Sequence, residues 1–260
     1  MKMRSGEVFA SLCAIAMAGV WAVPVGAQMA EVKEKPPMYT YEAQWNIPRA
    51  QWAGMEKATA NDEKTLDKAL GNGEIVGYGH DSALIHTAEG GTHDDWWSAM
   101  SMAGVLNALD AVYKAGGATS PVLSSATKHW DNLFVSRYYN WHPGSWRDAY
   151  THWAGYTLKQ EAPDDAIDTI AKNFAVPLME KLLADGTIVE YEIDVETIHT
   201  DTPGNFAIVY ITPTAEGLDK ANAALREAFK KTPLIGPALD SMVDFTKHRD
   251  WLGRTTATYM

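Results

Sequence analysis

Residues 73–87 read GEIVGYGHDSALIHT, and residues 186–200 read GTIVEYEIDVETIHT. Eight of the fifteen aligned pairs are identical, where unrelated residues would give roughly one. The match continues on both sides at the same offset of 113 residues: DKALGNG (67–73) lies over EKLLADG (180–186), and TAEGGTH (87–93) over TDTPGNF (200–206). Self-similarity at a long fixed period predicts a repeated structural unit.

Working outward, the pattern predicts the same order of elements in both halves. Residues 39–45 (YTYEAQW) have strand composition, and Pro48 opens a helix whose apolar residues run to Leu70. Gly71-Asn72-Gly73 stops that helix. Strands are expected over 74–80 and 93–99 around a hairpin loop at 87–92, then a helix over 102–113, a loop over 115–125 and a strand over 133–141. The second half predicts strands over 148–158, 187–194, 206–212 and 251–259. Its helices follow Pro163-Asp164-Asp165, over 215–229 and, shorter, within 234–247, and Pro177 should kink the first of them. Each half is therefore β-α-β-β-α-β, the ferredoxin-like unit, spanning 39–145 and 146–260. FAIVYIT (206–212) is apolar at odd and even positions alike, so both faces of that strand should be covered, and the other half's sheet is the natural cover.

Two such units in tandem, with antiparallel sheets facing, resemble the dimeric α+β barrel superfamily fused into one chain. The resemblance spans about residues 39–259 and is architectural. It implies an α+β barrel. The superfamily includes cofactor-independent monooxygenases, isomerases, lactonases and haem-binding enzymes, so a small hydrophobic or aromatic ligand is an expectation of the resemblance, and no member's catalytic motif is present to carry over.

Lys2 and Arg4, the apolar stretch 8–23 and Val25-Gly26-Ala27 predict a signal peptide over 1–27, with a flexible leader over 28–38 and a periplasmic or secreted product. Cys13 is the one cysteine, so the mature chain would carry no disulfide. Removing Lys2, Arg4 and Glu7 leaves 20 basic against 32 acidic residues, a net −12. That balance argues against nucleic acid and anionic membrane as partners. No H-x-x-x-H, H-E-x-x-H, phosphate-binding glycine loop or Gly-x-Ser-x-Gly occurs, so neither a metal nor a cofactor is expected.

His86 and His199, the paired histidines of Ile-His-Thr, read either as hairpin-shaping residues or as ligands. Lys128-His129-Trp130-Asp131 and Lys247-His248-Arg249-Asp250 echo one another at an offset of 119, each entering a last strand. His93-Asp94-Asp95-Trp96-Trp97 stands where the other half has Phe206-Ala207-Ile208-Val209-Tyr210. Alternation puts His93, Asp95 and Trp97 on one face and Asp94 and Trp96 on the other, at a solvated rim or in a polar pocket. The pocket reading makes His93 and Asp95 a catalytic pair, with Trp97, His80 and Trp45 as substrate-binding walls. Gly77 and Gly79, opposite Glu190 and Glu192, would leave room over that sheet. The alternative is a non-catalytic secreted protein that binds through its Trp-rich first half. Intact-mass measurement of protein from its native host should find a chain starting at Gln28 or within a few residues; a full-length chain in the cytoplasm would overturn the export reading.

Overall fold

The computed structural model describes residues 32–85, 90–198 and 203–260. The expected signal peptide, residues 1–27, and the Ile-His-Thr histidines, His86 and His199, lie outside the described residues. Val32–Met260 forms one compact unit. Its eight strands among the described residues are β1 (Met38–Asn46), β2 (Gly77–Ile85), β3 (His93–Ala99), β4 (Lys128–Trp141), β5 (Gly144–Thr157), β6 (Glu190–Glu196), β7 (Asn205–Thr212) and β8 (Arg249–Tyr259). They close into a barrel in the order β1-β3-β2-β8-β5-β7-β6-β4, every pairing antiparallel.

Within each half the order is last-first-third-second, as the ferredoxin-like unit requires. The halves join where the second strand of one pairs with the last strand of the other, β2 with β8 and β4 with β6. Helices α1 (Trp52–Gly71) and α2 (Met102–Lys114) belong to the first half. Helices α3 (Ala166–Ile170), α4 (Val176–Ala184), α5 (Ala215–Lys231) and α6 (Ile235–Met242) belong to the second. No helix among the described residues is long and apolar enough to cross a membrane.

The helices cover the outer surface of the barrel, and the two main apolar cores lie there, between helices and wall. One gathers Tyr41, Trp45, Met55, Leu66, Tyr78, Trp97 and Val105; the other gathers Ile170, Met179, Leu182, Tyr191, Ile193, Phe206 and Tyr210. A third, smaller cluster, with Trp96, Val189, Ile211 and Tyr259, packs one end of the barrel interior.

The repeated sequence falls on equivalent positions. Gly73 and Gly186 end their helices at φ +72° and +74°, where a side chain would be strained. Ser101 caps α2 by accepting from Gly104 N at 3.1 Å, and Thr214 caps α5 by accepting from Gly217 N at 3.2 Å.

Three features differ from expectation. Pro177 sits in the first turn of α4, and the irregularity lies upstream as a π-helical turn over Ala171–Ala175. Proline supplies no N–H, and the turn before it widens to absorb the break. The last part of the expected flexible leader is docked: Lys35 N donates to Arg137 O at 2.8 Å, Tyr139 Oη donates to Pro36 O at 2.8 Å, and Arg137 pairs with Glu34 at 3.1 Å. The room expected from Gly77 and Gly79 is on the interior face and is filled. A Cβ on Gly77 would lie 2.3 Å from the Tyr259 ring, and one on Gly79 would lie 2.4 Å from the Trp96 ring.

Gly104 and Gly217 provide a test of the helix-to-strand fit. A Cβ on Gly104 would stand 2.6 Å from Glu74 O, and one on Gly217 would stand 2.9 Å from Thr187 O and 1.7 Å from Thr212 Oγ1. Helix propensity favours alanine over glycine by about 1 kcal/mol, but overpacking against fixed backbone costs about 1–3 kcal/mol. Gly104→Ala and Gly217→Ala should therefore each lower stability in urea unfolding, Gly217→Ala more. A gain in either would show that the contact relaxes at little cost.

Candidate functional site

Alternation along β1, β2 and β3 sends Tyr41, Ala43, Trp45, His80, His93, Asp95 and Trp97 outward, toward α1 and α2. Between this face and the helices lies a cavity of about 210 Å³. Trp45, Asp95 and Trp97 line it with Tyr41, Leu66, Leu109, Val112 and His129. Trp97 is locked, its Nε1 donating to Val105 O at 3.0 Å and its ring 4.6 Å from that of Tyr41.

Asp95 is buried, so the rim reading does not describe it, and its histidine partner is His80. The His80 Nδ1 to Asp95 Oδ1 distance is 2.5 Å. The register explains the pairing. His80 and Asp95 are directly opposed across β2 and β3, about 5 Å apart. His93 is two residues along the same strand, about 7 Å away. His93 instead points its ring edge-on to Trp52 and sits 3.1 Å from Thr92 Oγ1 through Nδ1. Burial pushes His93 down to about 4, against the pull of Asp95. Burial also opposes a charge on His80, but Asp95, with help from Glu63 and Asp62, more than offsets it and moves its pKa upward. His80 does not line the cavity; its Nε2 is buried with no partner among the described residues.

The residue that sequence reasoning missed is Asp62. It projects from α1 into the same cavity, 5 % exposed, and its Oδ1 has no partner among the described residues. Burial, with the neighbouring Asp95 charge, pushes it up to about 6, against the pull of His80. A signal was present: Met55, Ala58, Asp62, Leu66 and Ala69 form one buried stripe of α1, and an aspartate within an apolar stripe demands a reason.

The His-x-Asp echo makes matching contacts in the two halves. His129 Nδ1 lies 2.9 Å from Gln44 O and its Nε2 3.4 Å from Asp131, with the ring stacked on Trp45. His248 repeats this with Gly155 O at 2.9 Å, Asp250 at 3.3 Å and Tyr156. Each clasps a half's last strand to its first.

The barrel interior is a second cavity, of about 580 Å³. Its wall carries Glu42, Asp81, Asp94, Glu190, Glu192, Asp194 and Glu196. Neutral donors serve several of them: Thr40 to Glu192 at 3.0 Å, Thr151 and Trp96 to Asp81 at 3.0 Å each, Asn132 to Glu42 at 3.0 Å, and Ser136 to Asp194. Burial drives the acids upward, Glu42 to about 7 and Asp194 to about 6, with Asp81, Asp94, Glu190 and Glu192 raised as well.

No protein-family model matches the sequence, and no curated protein matches it. Solved structures do match the fold. Two are described as "putative monooxygenase": one from Lactobacillus acidophilus, TM-score 0.57 at 11% identity, covering 86% of this chain and 97% of that one, and one from Fusobacterium nucleatum, TM-score 0.61 at 6% identity, covering 86% and 95%. An anthrone oxidase-like protein matches with TM-score 0.50 at 10% identity, covering 87% and 94%. At these identities the likeness is one of fold, an α+β barrel closed within a single chain.

Carboxyl groups whose pKa is higher folded than unfolded bind protons more strongly in the folded state, so stability falls as pH rises through the interval between the two values. His80, also raised, loses its contribution as pH rises through its folded pKa. His93 and His152, both lowered by burial, act in the opposite sense, but only below the unfolded histidine pKa of about 6.5. The melting temperature should therefore fall from about pH 5 to 7, where the raised carboxyls, Glu42, Asp62 and Asp194 among them, outnumber the two lowered histidines. A flat or rising profile would mean that the buried acids are ionised at little cost.

Proposed function

We propose that this chain is a small-molecule enzyme of the proton-transfer type, with its site between the first half's sheet and helices α1 and α2. The observation that carries this reading is the pair of aspartates in one aromatic-walled cavity, held in different environments. Asp95 is oriented by His80 at 2.5 Å, whereas Asp62 titrates at about 6 with an unpartnered oxygen. Two carboxyls with separated environments suit an acid and a base acting on one substrate.

Asp95 would take a proton from a carbon next to a carbonyl, and Asp62 would give its proton to the carbonyl oxygen, a keto–enol tautomerisation in which the substrate loses one proton and gains one. His80 would act as a positioning residue, holding the Asp95 carboxylate. Tyr41, Trp45 and Trp97 favour a flat, apolar substrate. The same carbanion could instead add dioxygen by electron transfer and recombination, and the hydroperoxide formed on protonation would lose water to leave a carbonyl, which is the monooxygenase-like variant that the fold neighbours suggest. The alternative of a Trp-rich binding surface has less support, because the indoles of Trp52, Trp96 and Trp97 donate inward, to Ile47 O, Asp81 and Val105 O.

The test is proton–deuterium exchange at the acidic CH₂ of anthrone and 2-tetralone, followed by NMR in deuterated buffer. Asp95→Asn should lower the rate about 10²–10⁴-fold and Asp62→Asn comparably. His80→Asn should lower the rate, shift its pH profile and leave KM nearly unchanged. No exchange above background with either ketone, or exchange that survives both aspartate substitutions, would overturn the assignment.

A further inference from the structure

The barrel interior is chemically unlike the pocket just described, and the proton-transfer reading makes no use of it. Its acids outnumber its cations. Lys247 and Arg249 stand at one end of the lining, where Lys247 pairs with Asp244 at 3.7 Å and Arg249 donates to the carbonyls of Thr246 and His248 at 3.3 and 2.6 Å. The donors that serve the buried acids are neutral hydroxyls, an amide and an indole. Two carboxyl oxygens facing the cavity, Asp94 Oδ1 and Glu190 Oε1, have no partner among the described residues, although Asp94 is 6% and Glu190 1% exposed. Buried oxygens of this kind are costly unless something answers them.

We propose that the barrel interior binds a linear aliphatic polyamine. Three observations select this class. Glu190, Glu192, Asp194 and Glu196 stand at every second position of β6, a track of carboxyls about 7 Å apart over about 20 Å. That spacing suits ammonium groups separated by short methylene chains. Trp96, Trp130, Trp153, Trp251 and Tyr259 supply aromatic walls for the methylenes and for cation–π contact. No three of the acids are placed to hold a metal ion, among the described residues, so a point cation is a poor match for groups spread along a wall.

Glu190 and Asp94 would accept the ammonium groups. The groups that face them are Glu42, Asp81, Glu192 and Asp194, with Tyr259 over one end and Lys247 and Arg249 at the other. Asp81 stands directly opposite Asp94 across β2 and β3, Glu192 lies two residues from Asp194 on β6, and burial raises the pKa of all four. A bound polyamine would ionise these pairs and release protons. Affinity should accordingly rise as pH goes from 6 to 8, while the amine stays charged.

Calorimetric titration of the full chain with spermidine decides the matter, with 1,6-hexanediol as the uncharged probe and magnesium as the metal probe. Saturable spermidine binding is expected, with protons released as judged from two buffers of different ionisation enthalpy, and with neither control probe bound. Glu190→Gln and Asp94→Asn should each weaken spermidine roughly tenfold or more, while Glu216→Gln on the outer surface changes nothing. The proton-release measurement needs no variant, so it stands even if a substitution unfolds the barrel. Absence of binding, binding without proton release, binding indifferent to the two interior substitutions, or magnesium competing at the same residues would each overturn the proposal. The ketone-exchange assay reads the other cavity, so either assignment can fail alone.

Discussion

The structure depends on the need of every sheet edge for a partner. A four-stranded ferredoxin-like sheet exposes its second and last strands, each with a row of unsatisfied backbone N–H and C=O groups. In this chain β2 finds β8 and β4 finds β6, and all four edges are satisfied within one molecule. Closure then decides what lies where. With the sheets wrapped around each other, the helices must cover the outside, and the apolar residues follow them into two cores between helix and wall.

Closure also explains the composition of the interior. A closed barrel removes its lumen from bulk water, and side chains of unequal size must share it. Gly77 and Gly79 give up volume on β2, and Tyr259 and Trp96 take it. On the equivalent strand of the second half, Glu190 and Glu192 keep their side chains and line the cavity. The acids are held by hydroxyls and by one another, and burial raises their pKa because neutral carboxyls cost less there than carboxylates. An acidic, aromatic lumen is thus retained at some expense in stability above neutral pH, which is an arrangement that bare packing would not favour.

The outer pocket of the first half follows from strand register. Alternation assigns Asp95 and Trp97 to the helix-facing side, and the pairing of β2 with β3 brings His80 against Asp95. The second half lacks this chemistry: Phe206, Ile208 and Tyr210 occupy the corresponding face and pack against apolar neighbours. Both halves keep the histidine clasp at the entry to their last strand. Clasps and capped glycine turns are common to the two halves because both must fold the same way. The acid pair belongs to one half alone.

The amino-acid order by itself determined the number and sequence of the main strands and helices, their distribution into two similar halves, and the assignment of His93, Asp95 and Trp97 to one face with Asp94 and Trp96 on the other. Those features rest on local periodicity and turn chemistry, which short stretches carry alone. Tertiary structure decided the rest. Which strand face became the interior depended on closure, so the space left by Gly77 and Gly79 could not be assigned to either side from the sequence. The partner of Asp95 depended on cross-strand register, which favours a directly opposed residue over the next one on the same face. Asp62 joined the site only when α1 packed on the outer face of the sheet, because contact between a helix and strands distant in sequence is set by the fold and leaves no local mark beyond one acid in an apolar stripe.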